Sequence, residues 1–198
     1  MQPYDTIISQ ERSDNMQWTI PGTVLTANRE DAIYIEHNFS SMFLGGGIML
    51  SQVSAISGLE SYDVQNWVKR RLLPPPVNKR YDLNQLCRIL NINMLKKALP
   101  MEQIVGLLSY INGDLEDTSD DLIDDSKLYF LFVKLAARAR HIGGTEDWDE
   151  ALQQVTADYQ EPRPGARDKL IAVLRIMLTA WVASILLDAS QNMIRQLG

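Results

Sequence analysis

The sequence predicts an all-α protein, and three observations support that fold class. Apolar residues recur at intervals of three and four through most of the 198-residue chain, as in helices with one buried face. Glycine and proline clusters at residues 45–47 and 74–76 separate these periodic stretches. Alternation typical of strands is confined to residues 17–25 and 76–81. A chain of this length with 45% apolar residues can bury a substantial core.

The order of the periodic stretches divides the chain into three parts. Residues 1–47 are expected to form an N-terminal segment with one helix that packs on the rest. This helix is expected from residue 28 or 29 to about 42, with Ile33, His37 and, less regularly, Phe39 and Phe43 as its apolar or neutral positions. Residues 48–113 are expected to form a compact module that ends with a helix over 100–112. Residues 114–198 are expected to form a helical C-terminal domain, with helices at about 119–140, 146–159 and 167–196.

The composition excludes several kinds of chemistry. Cys87 is the only cysteine, so no internal disulfide and no zinc site built from several cysteines is expected. His37 and His141 stand alone, and no Ser-His-Asp, Cys-His or paired-carboxylate pattern is present. We therefore expect no catalysis, no metal site and no cofactor. The first twenty residues lack the apolar stretch of a secretory signal, which favours the cytoplasm.

The acidic run over residues 114–125 is the strongest candidate for a cation site. Carboxylate oxygens suit hard cations such as calcium, but the run lacks the EF-hand spacing with its central glycine and terminal glutamate. We expect these carboxylates to solvate a linker and to stabilise a helix N-terminus.

Charge is distributed unevenly along the chain. Residues 49–97 hold eight Lys and Arg against three acids, a local net charge of +5, whereas the whole chain carries −6. A basic region within an acidic protein is typical of phosphate-backbone binding, because Lys and Arg displace condensed counterions from DNA. The alternative is a solvated surface, which charge alone does not exclude.

Two short helices are expected within this basic region. Ser51 is expected to cap the first, and Gly58 to end it with a left-handed residue. In the second, helical spacing directs Val64, Trp67, Val68 and Leu72 to the core. The same spacing directs outward a polar stripe made of Tyr62, Gln65, Asn66 and Lys69.

The polar stripe suits the major groove of double-stranded DNA. Gln and Asn pair bidentately with adenine and Lys pairs with guanine, each good pair contributing roughly 1–3 kcal/mol of discrimination. After an extended proline run, residues 77–81 can form a small wing before Asp82 caps the next helix. The expected phosphate contacts are Arg70, Arg71, Lys79 and Arg80. Together these elements predict a winged helix-turn-helix.

The residues of this region resemble the DNA-binding domain of MerR-type regulators over about residues 48–112. The resemblance lies in two helices around Gly58, a Leu-Leu-Pro-Pro ending, Arg80-Tyr81 in the wing and an Asp-Leu helix start. The string LSQVSAISGLESYDVQNWVKRRLLPPP, with Leu-Ser-Tyr-Ile-Asn-Gly at 108–113, further resembles an uncharacterised bacterial branch known only as a domain of unknown function with a MerR-like fold.

The resemblance implies transcription regulation, with Gln65 and Asn66 facing the groove and DNA distortion as the regulatory act. The chain departs from the MerR pattern at two places. MerR proteins commonly have Arg-Tyr-Tyr where residues 65–67 stand, and Ser where this chain has Glu60, which is unfavourable near phosphate. Base preference is therefore not transferred. With only Cys87, metal sensing is not expected. The alternative function is a protein-interaction adaptor that uses the fold as a scaffold.

The last predicted helix is long and apolar. Residues 170–187 reach the length of a membrane span, but Arg175 interrupts them and apolar residues occupy one broad side. We expect no membrane insertion and a helix buried in a bundle or in a homodimer, which would present two recognition helices to neighbouring half-sites. A pocket for a small-molecule effector could form between the C-terminal helices, near Tyr129, Phe132, Trp148 or Trp181.

Overall fold

The computed structural model describes residues 17–113, 115, 118–139 and 146–197. These residues are mostly helical, which confirms the all-α prediction. The α-helices are α1 (Ala32–Ser41), α2 (Leu50–Ser57), α3 (Ser61–Lys69), α4 (Leu83–Leu95), α5 (Met101–Asn112), α6 (Asp125–Arg138), α7 (Glu146–Val155) and α8 (Ala166–Arg195). Short strands form two antiparallel pairs, β1 (Gln17–Thr19) with β2 (Thr26–Asn28) and β3 (Ile48–Met49) with β4 (Arg80–Tyr81).

The β1–β2 hairpin leads into α1 through a 3-10 turn at Arg29–Asp31. Helix α1 lies within the predicted range, but its buried residues are Ala32, Ile35 and Phe39. Ile33 is 58% exposed and His37 is exposed, so the core-facing side differs from the one that Ile33 and His37 would define. Packing against α6 selects this side, since the Phe39 and Phe130 rings lie edge to face at 5.9 Å.

Helix α4 lies at the centre of the molecule. Nearly all of its residues are buried, because α2, α6 and α8 each pack against it. It begins as predicted with an Asp82 cap, whose carboxylate accepts a hydrogen bond from the Gln85 backbone N–H at 2.7 Å. The Gln85 side chain accepts in turn from the Asp82 N–H at 2.9 Å. The N-terminal end of this central helix is therefore well defined.

Helix α6 packs between α4, α1, α7 and α8. It begins at Asp125, later than the predicted start at residue 119 or 120, because Thr118–Asp120 form only a 3-10 turn. Leu122 and Ile123 then enter the core in non-helical conformation, and the Leu122 N–H donates to the Ile111 carbonyl at 3.0 Å. The predicted end of this helix at about residue 140, together with His141, lies outside the described residues.

Helix α8 extends over Ala166–Arg195, close to the predicted range. Val173, Leu174, Met177 and Leu178 are fully buried against the body of the protein. By length and composition α8 could cross a membrane, and it is the one described helix that meets those criteria. Its last two turns differ from the rest, since every residue from 189 to 197 is exposed.

Candidate nucleic-acid interface

The turn between α2 and α3 is held by backbone and side-chain hydrogen bonds. The Ser57 hydroxyl donates to the Val53 carbonyl at 2.7 Å and accepts from the Leu59 N–H at 3.2 Å. Gly58 has φ +70°, as predicted, and a Cβ there would lie 2.5 Å from the Val24 side chain. The predicted Ser51 cap is wrong: α2 begins after Met49, whose N–H is bonded by the Gln52 side chain at 2.9 Å.

Helix α3 has one buried side and one exposed side. Val64 is fully buried and Trp67 is 5% exposed, which confirms that both belong to the core. Lys96 of α4 places its Nζ 5.8 Å from the centre of the Trp67 ring. The predicted polar stripe lies outward, with Tyr62, Gln65, Asn66 and Lys69 all exposed. The side chains that could read a groove therefore share one solvent-facing surface.

The C-terminal end of α3 projects two arginines into solvent. The Arg71 N–H donates to the Val68 carbonyl at 3.0 Å and the Leu72 N–H to the Trp67 carbonyl at 2.9 Å, the two bonds of a Schellman motif. Glycine usually occupies the left-handed position of this motif, but here Arg71 does, with φ +56°. Arg70, one residue earlier, has ordinary right-handed φ and is exposed as well.

The segment over residues 77–81, where the sequence predicts a small wing, forms a short hairpin. Val77 and Arg80 exchange two backbone hydrogen bonds at 3.1 and 2.9 Å, so Asn78 and Lys79 make a two-residue turn. Both have positive φ, +51° and +62°, as in a type I′ turn, where the second position commonly holds glycine. Lys79 therefore lies at the tip and is exposed.

The wing is attached firmly to the rest of the module. Strand β4 pairs with β3, which leads directly into α2, and the Arg80 guanidinium donates to the Gly47 carbonyl at 2.9 Å. On the other side, the Gln85 amide donates to the carbonyls of Pro74 and Pro75 at 3.1 and 2.9 Å. Arg80 thus uses one guanidinium N–H for the hydrogen bond to Gly47, and the residue remains exposed.

Three basic residues of the same charged region serve other contacts. Arg88 is buried, donates to the Leu72 carbonyl at 2.9 Å and forms an ion pair with Asp125 of α6 at 3.0 Å. Lys97 pairs with Asp188 of α8 at 2.6 Å. Lys96 covers Trp67, and partial burial lowers the pKa of its ammonium group. No local sequence pattern indicated these partners.

The remaining basic side chains carry the positive potential of this surface. Lys69, Arg70, Arg71 and Lys79 are exposed and form no ion pair with any residue that the structure describes. Two acidic residues lie in the N-terminal part of α3 or directly before it. Glu60 is exposed at the N-terminal cap of α3 without capping it, and Asp63 interacts with Lys96. The positive charge is therefore concentrated at the C-terminal end of α3 and at the wing tip.

A second feature, which shares no residue with the candidate interface, is a cleft of about 990 Å³ between α1, α6 and the segment before α8. It is not the predicted aromatic pocket, because Tyr129 and Phe132 are fully buried core residues and neither lines it. Burial and the neighbouring carboxylates of Asp125, Asp120 and Asp124 raise the pKa of Asp121, at the cleft edge, to about 6. Among the described residues, no three His, Cys, Asp or Glu form a metal-binding group.

Comparison with known proteins gives a family match but no function. Residues 47–132 match the family described as "Domain of unknown function (DUF1836)". The "Uncharacterized protein YkrK" of Bacillus subtilis (strain 168) is 29% identical over 120 residues, which are 59% of this chain and 51% of that protein. The chain thus spans about half the length of this curated relative. No solved structure gives a significant match.

The matched region begins at Gly47, which Arg80 contacts, and ends within α6. It contains every residue of the candidate interface, together with the Arg88–Asp125 ion pair. The similarity to the MerR type stays a prediction from the sequence. The region from residue 47 to residue 132 resembles a domain family whose function is unknown.

Proposed function

We propose that this protein is a sequence-specific DNA-binding transcriptional regulator of the MerR-like winged helix-turn-helix type, acting as a homodimer in the cytoplasm. One observation carries the proposal: Arg71 and Lys79 occupy left-handed backbone positions where glycine would be less strained. A non-glycine residue in such a conformation costs roughly 1–2 kcal/mol. Strain of this kind favours a functional role for the side chain, since both residues point a free positive charge into solvent.

In the proposed complex, α3 lies in the major groove. Its nine residues carry Gln65 and Asn66 side by side on the exposed surface, with Tyr62 one turn before and Lys69 one turn after. Amide side chains at adjacent positions offer the donor and acceptor pattern that reads adenine. On the other side of the helix Val64 and Trp67 are buried and Lys96 covers the Trp67 ring, so the polar side is left facing solvent.

The phosphate contacts are proposed on either side of α3. Arg70 and Arg71 lie at the C-terminal end of this helix, and Lys79 with Arg80 lies at the wing. Because the wing is tied to Gly47 and to α4, its lysine is presented by a rigid hairpin. Such contacts fix the register of a protein on the duplex and carry no base preference of their own.

The test is a selection of the purified full chain against a random duplex library at two salt concentrations, followed by sequencing of the retained DNA. The proposal predicts one enriched motif arranged as two half-sites, and retention that falls steeply with salt because phosphate contacts release counterions. Retention without an enriched motif would contradict sequence-specific recognition. A Gln65→Ala variant that selects the same motif would contradict the assignment of α3.

An adaptor function is the second candidate, and Glu60 is the residue that favours it. This carboxylate is exposed at the N-terminal end of α3, where it would repel a DNA phosphate. A protein partner with a basic surface would attract this carboxylate. Binding of such a partner would survive substitution of Lys79 by Gln but fail when Glu60 is replaced by Lys, the reverse of the DNA-binding expectation.

A further inference from the structure

The cleft between α1, α6 and the segment before α8 has the size of a ligand site. Its volume of about 990 Å³ lies at the upper end of the range for pockets that hold small molecules. Residues of α6 line it at helical spacing from Lys127 to Arg138, with Phe130 and Leu131 between them. Ile33 of α1 also lines the cleft and is 58% exposed. The cleft therefore offers apolar surface that the described chain leaves in solvent.

Two ion pairs account for four of the charged side chains that line the cleft. Lys134 places its Nζ 2.9 Å from the Glu36 carboxylate, which joins α6 to α1. Lys127 places its Nζ 2.9 Å from the Asp124 carboxylate. Because these side chains bind each other, they leave no net charge for a ligand.

One end of the cleft holds an acidic group without a partner. Asp121 is half-buried there, and its carboxylate forms no hydrogen bond or ion pair with any residue that the structure describes. Burial and the neighbouring carboxylates raise the pKa of Asp121 to about 6. Arg88, the basic group that acts on Asp121, is already bound to Asp125. A positively charged group placed beside Asp121 would relieve this repulsion.

The segment after α7 adds a second carboxylate at the acidic end. The Tyr159 hydroxyl donates to the Leu122 carbonyl at 2.5 Å, which brings Asp158 close to Asp121. Asp158 is exposed and has no ion pair within the described residues. Arg163 lies nearby, but it does not line the cleft, and its guanidinium donates to the backbone carbonyl of Asp120 at 3.2 Å. The acidic end therefore carries negative charge that the protein does not neutralise.

The other end of the cleft carries the opposite charge. Arg138, in the last turn of α6, is exposed and forms no ion pair with any described residue. Arg29 and Glu30 also line this end, and their charges cancel. Arg29 is already engaged, since its guanidinium donates to the Ala136 carbonyl at 3.1 Å. From Asp125 to Arg138 helix α6 rises about 20 Å, at 1.5 Å per residue, so the two ends are far apart.

We propose that this cleft binds a short extended peptide, with its N-terminal ammonium group at Asp121 and its C-terminal carboxylate at Arg138. An extended chain advances about 3.3 Å per residue, so about six residues span the distance between the two ends. Arginine can hold a carboxylate by two parallel hydrogen bonds, and capture of chain ends is a recurring mode of peptide recognition. Apolar side chains of the peptide cover Ile33 and Leu131.

Other ligands satisfy only part of this arrangement. A nucleic acid or another polyanion would be repelled by Asp121 and Asp158. A simple amine would leave Arg138 without a partner, and a simple anion would leave Asp121 without one. The proposal goes beyond DNA binding and does not rest on it, because the cleft shares no residue with the candidate interface.

The experiment is affinity selection by the purified full chain from a mixture of random hexapeptides with free ends, followed by mass spectrometry of the retained peptides. Wild type is expected to retain a subset of them. Mixtures acetylated at the N-terminus or amidated at the C-terminus are expected to be retained about tenfold less, because each block removes one charge. Asp121→Asn and Arg138→Gln are each expected to reduce retention of the free peptides about tenfold for the same reason.

Asp168→Asn and Arg195→Gln are the matched controls. Both residues are exposed on α8 and do not line the cleft, so these variants are expected to retain the peptides as wild type does. Circular dichroism checks that each variant is folded. The blocked mixtures are tested on wild type, so that comparison does not depend on the folding of any variant.

Failure to retain any hexapeptide, or retention that Asp121→Asn and Arg138→Gln leave unchanged, would overturn the proposal. Loss of retention on acetylation alone would overturn it in favour of a site for amines at Asp121. Loss on amidation alone would overturn it in favour of a site for anions at Arg138. Because no DNA is present, failure here would leave the proposed DNA binding to be judged by its own selection experiment.

Discussion

The basic region of this sequence contains two segments that differ in whether their charged side chains have partners within the protein. In residues 69–80, Lys69, Arg70, Arg71 and Lys79 are exposed and lack ion pairs within the described chain. In residues 88–97, Arg88 is bound by Asp125, Lys97 by Asp188, and Lys96 lies over Trp67. We call these the unpaired and the paired basic segments.

The comparison shows that charge density along a sequence overstates the charge available to a ligand. The acidic partners of the paired basic segment, Asp125 and Asp188, lie 37 and 91 residues away and come from the C-terminal helices. Only the fold brings them together. The paired segment stabilises contacts between helices, whereas the unpaired segment keeps its charges for a partner. Substitutions in the two segments should therefore change different properties.

The largest expected effect is on folding, from Arg88→Ala in the paired segment. This change leaves the Asp125 carboxylate buried without its partner and the Leu72 carbonyl without a donor. Breaking a buried pair in this way costs about 3–5 kcal/mol. Urea denaturation should show this loss, whereas Arg70→Ala in the unpaired segment should change the free energy of unfolding by less than about 0.5 kcal/mol. Equal losses would contradict the division into two segments.

The next effect separates base reading from phosphate binding within the candidate interface. Gln65→Ala should change the preference at one base pair by about 1–3 kcal/mol. Lys79→Gln should weaken binding to all sequences alike and reduce the slope of log affinity against log salt by about 0.9. Affinity titrations on matched and mismatched duplexes at several salt concentrations measure both. If Lys79→Gln altered base preference, the wing would be reading bases.

A smaller effect has opposite signs on stability and on DNA affinity. Arg71→Gly relieves the strain of φ +56°, which raises the free energy of unfolding. The greater entropy of glycine in the unfolded chain offsets part of this gain, so we expect a net increase of about 0.5–1 kcal/mol. It should bind DNA more weakly, because a phosphate contact is lost. Arg70→Gly is the matched control: it removes the same charge from a right-handed position and should lower stability. Urea denaturation and DNA titration of both variants decide the matter.

Local patterns of the sequence predicted most elements of this fold. They could not predict the contacts that each residue makes with residues far away in the chain. Gly58, Asp82 and the core position of Trp67 follow from turn, cap and periodicity rules that involve neighbouring residues only. The exposure of Tyr62, Gln65, Asn66 and Lys69 follows from the same periodicity.

The differences arise where tertiary contacts override local signals. Helix α6 starts late because Leu122 and Ile123 are drawn into the core, and α1 buries Ile35 because α6 packs on that side. The roles of Arg88 and Lys97 depend on residues far away in the sequence, so no pattern near them could reveal those roles. The cleft beside Asp121 likewise forms from segments that are distant in the chain.

The smallest expected effect concerns the acidic surroundings of Arg88. Burial and nearby carboxylates raise the pKa of Asp121 from 3.8 to about 6. Between these values the folded protein holds a proton that the unfolded chain has released, so the free energy of unfolding falls as pH rises through this window. Asp121→Asn removes this dependence and should stabilise the protein at pH 7, by less than about 1 kcal/mol because solvent screens the group.

The control is Asp158→Asn, which removes an exposed carboxylate from the same cleft. Urea denaturation of wild type and both variants at a series of pH values gives the slopes. A slope for Asp121→Asn equal to that of wild type across this window would mean that Arg88 neutralises Asp121 as well as Asp125. The paired basic segment would then carry more positive charge than its partners need. The two basic segments would differ only in how much of their charge is neutralised within the protein.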